Sequence, residues 1–348
     1  MSGKTRFLTS LRGERPDRCP LFLRDLTLAL DEAGLTTTEV CARRYNGDLS
    51  SKAVVGYWRR VGQDAVVGCI HHLGFGVETL GGSMDYPRKG IPNVAVHPFG
   101  GESLDRFPDL DMKRDGQFPE VIRSYMTVSK ALPDTAVVCN TEGPVTKAAI
   151  LRGLEALLMD IVSEPGYARE LIGYATEMGC DFLEAVAEWS DCLFVAAATD
   201  NPDLLGADVF KSHSIPGLKR MVSAADGRNL PSVFHPHGDF SAPENREALE
   251  CSLSTGIAGF QFAERNDQDA IKDTAGGRVC LMGGIDVHST LLLGPAERIR
   301  EETVSCLERF RPWNGYVFMC SGSLHRGMPL HHVDVMTRTV IDTASVVR

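Results

Sequence analysis

Eight short apolar runs, most of them rich in β-branched residues, recur along this chain, and most are separated by stretches long enough for an amphipathic helix. This feature constrains the fold most, because strand and helix in that alternation build a parallel sheet. The runs are Cys19–Leu23, Asp64–Ile70, Ala136–Asn140, Cys192–Thr199, Pro231–His235, Ala258–Ala263, Val279–Met282 and Tyr316–Cys320. Eight units in 348 residues, without an internal repeat, predict a (β/α)8 TIM barrel occupying residues 1–348 as one domain. An open doubly wound sheet is the alternative. Residues 74–118 carry Pro87, Pro92, Pro98 and Pro108 among several glycines and suit neither helix nor strand, so a long loop over the barrel mouth is expected there.

Charge narrows the partners. The chain has 36 basic and 46 acidic residues, a formal charge of -10, and no run of Lys or Arg able to neutralise a phosphate backbone. Nucleic acid is therefore not an expected partner. The first residues are polar and basic without an apolar signal core, and no later stretch nears 18 uninterrupted apolar residues, so the expectation is a cytoplasmic protein outside the membrane. Ten cysteines stand singly, with no CxxC pair, and a disulfide framework is not expected.

Active sites of such barrels lie at the C-terminal ends of the strands. Here those ends are polar: Arg24-Asp25, His71-His72, Asn140-Thr141-Glu142, Asp200-Asn201, His235-Pro236-His237, Glu264-Arg265, Asp286 and Cys320. His235 and His237 are two apart and project to one side of an extended chain, as two ligands of one metal must. Glu264 shares a parity with Phe260 and Phe262, and Cys320 with Tyr316 and Phe318, which would bring both to the same mouth. Two imidazoles, a thiolate and a carboxylate suit zinc, with Asp239 the other candidate for the fourth position. Asp200 and Glu142 are the candidate catalytic acids, although Asp200 also suits a helix N-cap and Glu142 a helix start. Arg24, His71, His72, Asn201, His213 and His325 are candidate substrate-binding residues.

The order of several segments resembles the uroporphyrinogen decarboxylase superfamily. These are Gly13–Pro20, the run Glu142-Gly143-Pro144-Val145-Thr146, the helical region Leu154–Glu188, Asp200, His235–Gly238, Gly283–Asp286, and Cys320 followed by His325–Pro329. The resemblance covers nearly the whole chain and implies a TIM barrel. The decarboxylases of that superfamily carry an arginine-rich segment after the first strand and an aspartate after the second. This chain has Arg24-Asp25-Leu26-Thr27 and Gly68-Cys69-Ile70-His71-His72 there, which disfavours porphyrinogen decarboxylation. In the methylcobamide:coenzyme M methyltransferase branch, a His-x-Cys pair and a later Cys bind zinc. By that resemblance His235 is the first ligand, His237 replaces the first cysteine, and Cys320 is the last.

The resemblance thus implies a zinc-dependent methyltransferase of the O-demethylase type. It would move a methyl group between a small O-methyl or S-methyl substrate and a corrinoid (methylcobalamin-like) supplied by a partner protein. This chain lacks the Asp-x-His-x-x-Gly segment of corrinoid-binding domains. A cofactor-free decarboxylase, with Arg24, Arg265 and Arg326 as its cations, and a non-catalytic zinc-binding relative are the other readings. A homodimer is one open assembly.

Overall fold

In the computed structural model, which describes residues 1–42, 44–101 and 106–345, seven parallel strands form one sheet in the order β1-β4-β5-β6-β7-β8-β9. These are β1 (Ala65–Val67), β4 (Ala136–Glu142), β5 (Cys192–Ala197), β6 (Ser232–Pro236), β7 (Gly259–Gln261), β8 (Cys280–Gly283) and β9 (Tyr316–Phe318). The eighth position is filled by the first apolar run, which makes isolated bridges in place of a continuous ladder. Leu21 bridges Phe318 on β9 and Phe22 bridges Ala65 on β1, both in parallel, and the ring closes there. The Phe22 amide donates to the Phe318 carbonyl at 3.0 Å, and the Phe318 amide to Pro20 at 2.9 Å. All eight expected runs therefore take their places in a TIM barrel.

Burial on both faces explains why the strands read as continuous apolar runs: every residue of β4, from Ala136 to Glu142, is buried. One parity faces the barrel axis, where Phe22, Ala65, Val67, Val138, Phe194, Val233, Met282, Val317 and Met319 pack together. The other parity packs against the helical layer, with Tyr316, Phe318, Phe260 and Phe262 among its larger side chains. The helix Gly3–Leu11 plugs the N-terminal end by inserting Phe7 and Leu11 into the axial core.

The proline-rich stretch holds a two-stranded antiparallel hairpin, β2 (Ser83–Asp85) with β3 (Asn93–Val96), which the sequence pattern did not show. Residues 102–105 of the expected loop, and residues 43 and 346–348 of the expected 1–348 domain, lie outside the described residues. No helix among the described residues is long and apolar enough to cross a membrane.

Candidate active site at the barrel mouth

The C-terminal ends of the strands surround a cavity of about 220 Å³ lined by Arg24, His71, His72, His235, His237, Ser323 and His325, with Ala196–Ala198 as an apolar wall and Ile91, Pro92 and Asn93 above. Strand parity explains this set. Arg24 lies two residues after the inward Phe22, His235 two after Val233, and Asn140 and Glu142 two and four after Val138.

Arg24 is 4% exposed. Its Nε donates to Asn140 Oδ1 at 2.7 Å, its Nη1 donates to Ser323 Oγ, and its guanidinium lies 5.4 Å from the centre of the Phe194 ring. Burial draws its pKa down to about 10, against the pull of Glu142, so it stays charged at neutral pH. No carboxylate pairs with it among the described residues.

Beside it lies a buried charged triad. Glu142, 4% exposed at the end of β4, places Oε1 2.8 Å from His71 Nε2 and Oε2 3.3 Å from Lys147 Nζ. Burial would raise the acid, but the Lys147 charge and the His71 hydrogen bond outweigh it and hold Glu142 at about 2. Lys147 comes from the helix Pro144–Arg152 directly after the strand and also donates to the Phe75 carbonyl at 2.8 Å. Burial lowers His71 below the ordinary histidine range despite its carboxylate neighbour.

Across the mouth, His235 Nδ1 meets Gln261 Oε1 in a short hydrogen bond. The Gln261 amide donates through Nε2 to the carbonyls of Phe262 at 2.8 Å and Ser321 at 3.2 Å, so its oxygen must face the histidine. His235 is thus protonated on Nδ1, and its buried Nε2, without a partner among the described residues, carries the lone pair. The His237 ring centre is 5.2 Å away. Burial lowers both imidazoles, His235 well below the ordinary range, and takes His325, whose Nδ1 is 3.3 Å from Thr27 Oγ1, down to about 4.

Several expected residues are not at this cavity. Cys320 faces outward, with Sγ 3.4 Å from Met336 Sδ, and burial raises its thiol to about 12. The parity that was to bring it to the mouth is the helix-facing one, while Val317 and Met319 take the axial side. Glu264 is exposed beyond the end of β7, whose axial residue is Gln261. Asp200 caps a neighbouring element: its carboxylate accepts from the Val145 amide at 2.9 Å and from the Thr146 amide at 2.8 Å, at the start of Pro144–Arg152. A Cβ at Gly143 would lie 2.5 Å from Asp200 Oδ2, so that close approach requires glycine. Asn201 caps its own helix by accepting from the Leu204 amide at 3.0 Å. His213 lines a separate outer cavity with Arg169 and Arg220.

Zinc fits this arrangement poorly. His235 has the expected pattern, one nitrogen fixed by an outer partner and the other bare among the described residues. With Cys320 and Glu264 elsewhere, no three His, Cys, Asp or Glu side chains among the described residues gather as a metal site. The four-ligand set expected from the sequence is not assembled. Three residues the sequence reading did not single out belong to the site instead: Gln261, Lys147 and Ser323. The signal for Gln261 was a lone polar residue between two phenylalanines.

Comparison with known proteins agrees with the architecture. The family described as uroporphyrinogen decarboxylase (URO-D) matches residues 2–343. The chain is 25% identical over 314 residues to the methylcobamide:CoM methyltransferase MtaA of Methanosarcina barkeri, covering 88% of each chain. A uroporphyrinogen decarboxylase of Alkalilimnicola ehrlichii is 25% identical over 194 residues, or 54% of this chain and 50% of that one. A methyltransferase from Methanosarcina mazei shares the fold, with a TM-score of 0.86, 23% identity and 99% of each chain covered. The family match spans nearly the whole length, and this chain belongs to the uroporphyrinogen decarboxylase family.

Proposed function

We propose that this chain is a methyltransferase that moves a methyl group between a small O-methyl or S-methyl substrate and a corrinoid carried by a partner protein. The observation that carries this reading is the charge of the mouth: one buried guanidinium, Arg24, among neutral imidazoles. A porphyrinogen bearing several carboxylates needs several cations, and the other two candidates are engaged elsewhere. Arg326 pairs with Asp31 at 2.6 Å, and Arg265 is a largely exposed partner of Asp203 at 3.3 Å. Likeness to the methylcobamide:CoM methyltransferase over most of both chains supports the same reading.

The corrinoid cobalt supplies the centre that gives or takes the methyl group. The chain supplies the rest. Arg24 and Asn140 hold the polar end of the substrate, Ala196–Ala198 flank its apolar part, and the hairpin stretch around Ile91–Asn93 covers the mouth. His235 and His237 line the cavity as neutral imidazoles.

The test incubates the protein with cob(I)alamin and a panel of methoxylated and methylthio donors, and with methylcobalamin and small thiols or phenols, following the cobalt absorbance. Transfer with at least one pair is expected. Coproporphyrinogen formation from uroporphyrinogen without any methyl transfer would replace this reading by the decarboxylase.

A further inference from the structure

We propose that His71, held by Glu142 and Lys147, is the proton acceptor for the substrate heteroatom that receives the methyl group. This rests on the methyltransferase reading above and assigns a direction and a substrate property to it: the acceptor is protic.

The hydrogen bonds determine the tautomer. An ionised carboxylate only accepts, and Lys147 Nζ, 3.3 Å from Glu142 Oε2 and anchored on the Phe75 carbonyl, keeps Glu142 ionised and stops it rotating. The proton between Glu142 Oε1 and His71 Nε2, 2.8 Å apart, is therefore on the histidine. That leaves Nδ1 as a lone pair, and Nδ1 is buried without a hydrogen-bond partner among the described residues. A buried acceptor left unmet is costly, of order 1–3 kcal/mol in general, and a donor that reaches it recovers that cost. His71 stands between the main cavity and a smaller one of about 20 Å³ walled by Phe75, Met178 and Phe182, so a group reaching it meets little water.

The ligand that answers a lone pair is a donor: a thiol, phenol or alcohol X–H. In the transfer step, the electron pair of X forms the X–CH3 bond. The carbon–cobalt bond of a methylated corrinoid breaks with its pair left on cobalt, which goes from cobalt(III) to cobalt(I). The X–H proton passes to His71 Nδ1, and the resulting imidazolium is balanced by Glu142. The reverse direction returns the same proton to X. A base placed within hydrogen-bond reach of X–H can take that proton directly.

The groups facing His71 are Glu142 from β4, Lys147 from the helix after it, Arg24 from the closing segment, and His72 from its own segment. Transfer to an acceptor should therefore rise with pH as His71 loses its proton and level off below the usual histidine range.

Two measurements decide the matter. Nitrogen-15 NMR of histidine-labelled protein, with His71 assigned by its variant, should show Nε2 protonated and Nδ1 bare; the opposite tautomer overturns the proposal. Methyl transfer from methylcobalamin to small thiols and phenols should fall about 100-fold or more in kcat for His71→Ala. KM should change little, and added imidazole should restore part of the rate. Glu142→Gln, which keeps a hydrogen-bond acceptor but not the charge, should lose less and move the acid limb to lower pH. Wild-type kcat and pH profile in folded His71→Ala would sink the proposal while leaving the function standing. No transfer by the wild-type protein would sink the function and this role with it.

Discussion

The two ends of the barrel treat buried charge in opposite ways. At the N-terminal end, Asp64 is 2% exposed and accepts from Arg6 Nη1 at 2.5 Å, from Arg18 Nη1 at 2.8 Å and from the Leu21 amide at 2.8 Å. Asp17 completes the network by binding Arg6 Nε at 2.6 Å. At the mouth, among the described residues, Arg24 has amide and hydroxyl partners but no carboxylate, and His71 Nδ1, His235 Nε2 and Asn140 Nδ2 have no hydrogen-bond partner. A satisfied network ties the chain terminus to the barrel. An unsatisfied one keeps binding capacity in reserve, because each unmet group gains only when a ligand arrives.

The contrast can be broken most easily by mutation at each pole. Asp64→Ala leaves one buried and one half-buried guanidinium group without their shared acceptor and should cost about 3–5 kcal/mol, lowering Tm by roughly 10 °C. Arg24→Met removes a buried cation that has no ion pair and should change stability by about 1 kcal/mol or less while abolishing substrate binding. Calorimetry on both proteins checks this. Equal loss of stability would mean that the mouth is as structural as the base.

Asp200 sharpens the boundary between the two kinds of site. If its carboxylate is a cap, Asp200→Ala should cost about 2 kcal/mol and leave KM for the surviving folded protein unchanged. A kcat loss of about 100-fold at unaltered Tm would restore it as a catalytic acid.

Acid should weaken the mouth first. His72 and His325 are held by burial at about 3 and about 4. Below the ordinary histidine range the unfolded chain therefore binds protons that the folded chain refuses, and stability falls as the pH drops from about 6.5 towards 4. Glu142, held at about 2, extends the loss between the ordinary glutamate range and that value. Urea midpoints at three pH values should show this slope, and His325→Gln should flatten its upper part. Smallest of all, Cys320→Ala should cost about 1 kcal/mol and leave methyl transfer and metal content alone, because its sulfur faces Met336. Loss of bound zinc in that variant would return Cys320 to the mouth.

Much of this was legible in the amino-acid order. The alternation of apolar runs and amphipathic stretches determined the eight barrel positions, their parallel direction and the polar rim, because burial on both faces demands continuous apolar strands and leaves chemistry to their ends. Period-two spacing also said which residues share a face. It did not say which face that was. Tyr316, Phe318 and Cys320 are as apolar as Val317 and Met319, so only packing between barrel and helices decided that the thiol points away from the imidazoles. Asp200 likewise reads as a cap for the residues that follow it, and only the pairing of β4 with β5 brings it to a helix start more than fifty residues earlier. Pairings between distant strand ends depend on barrel closure and register, which leave no local mark on the chain. The tertiary structure alone therefore joined His71 to Glu142 and His235 to Gln261.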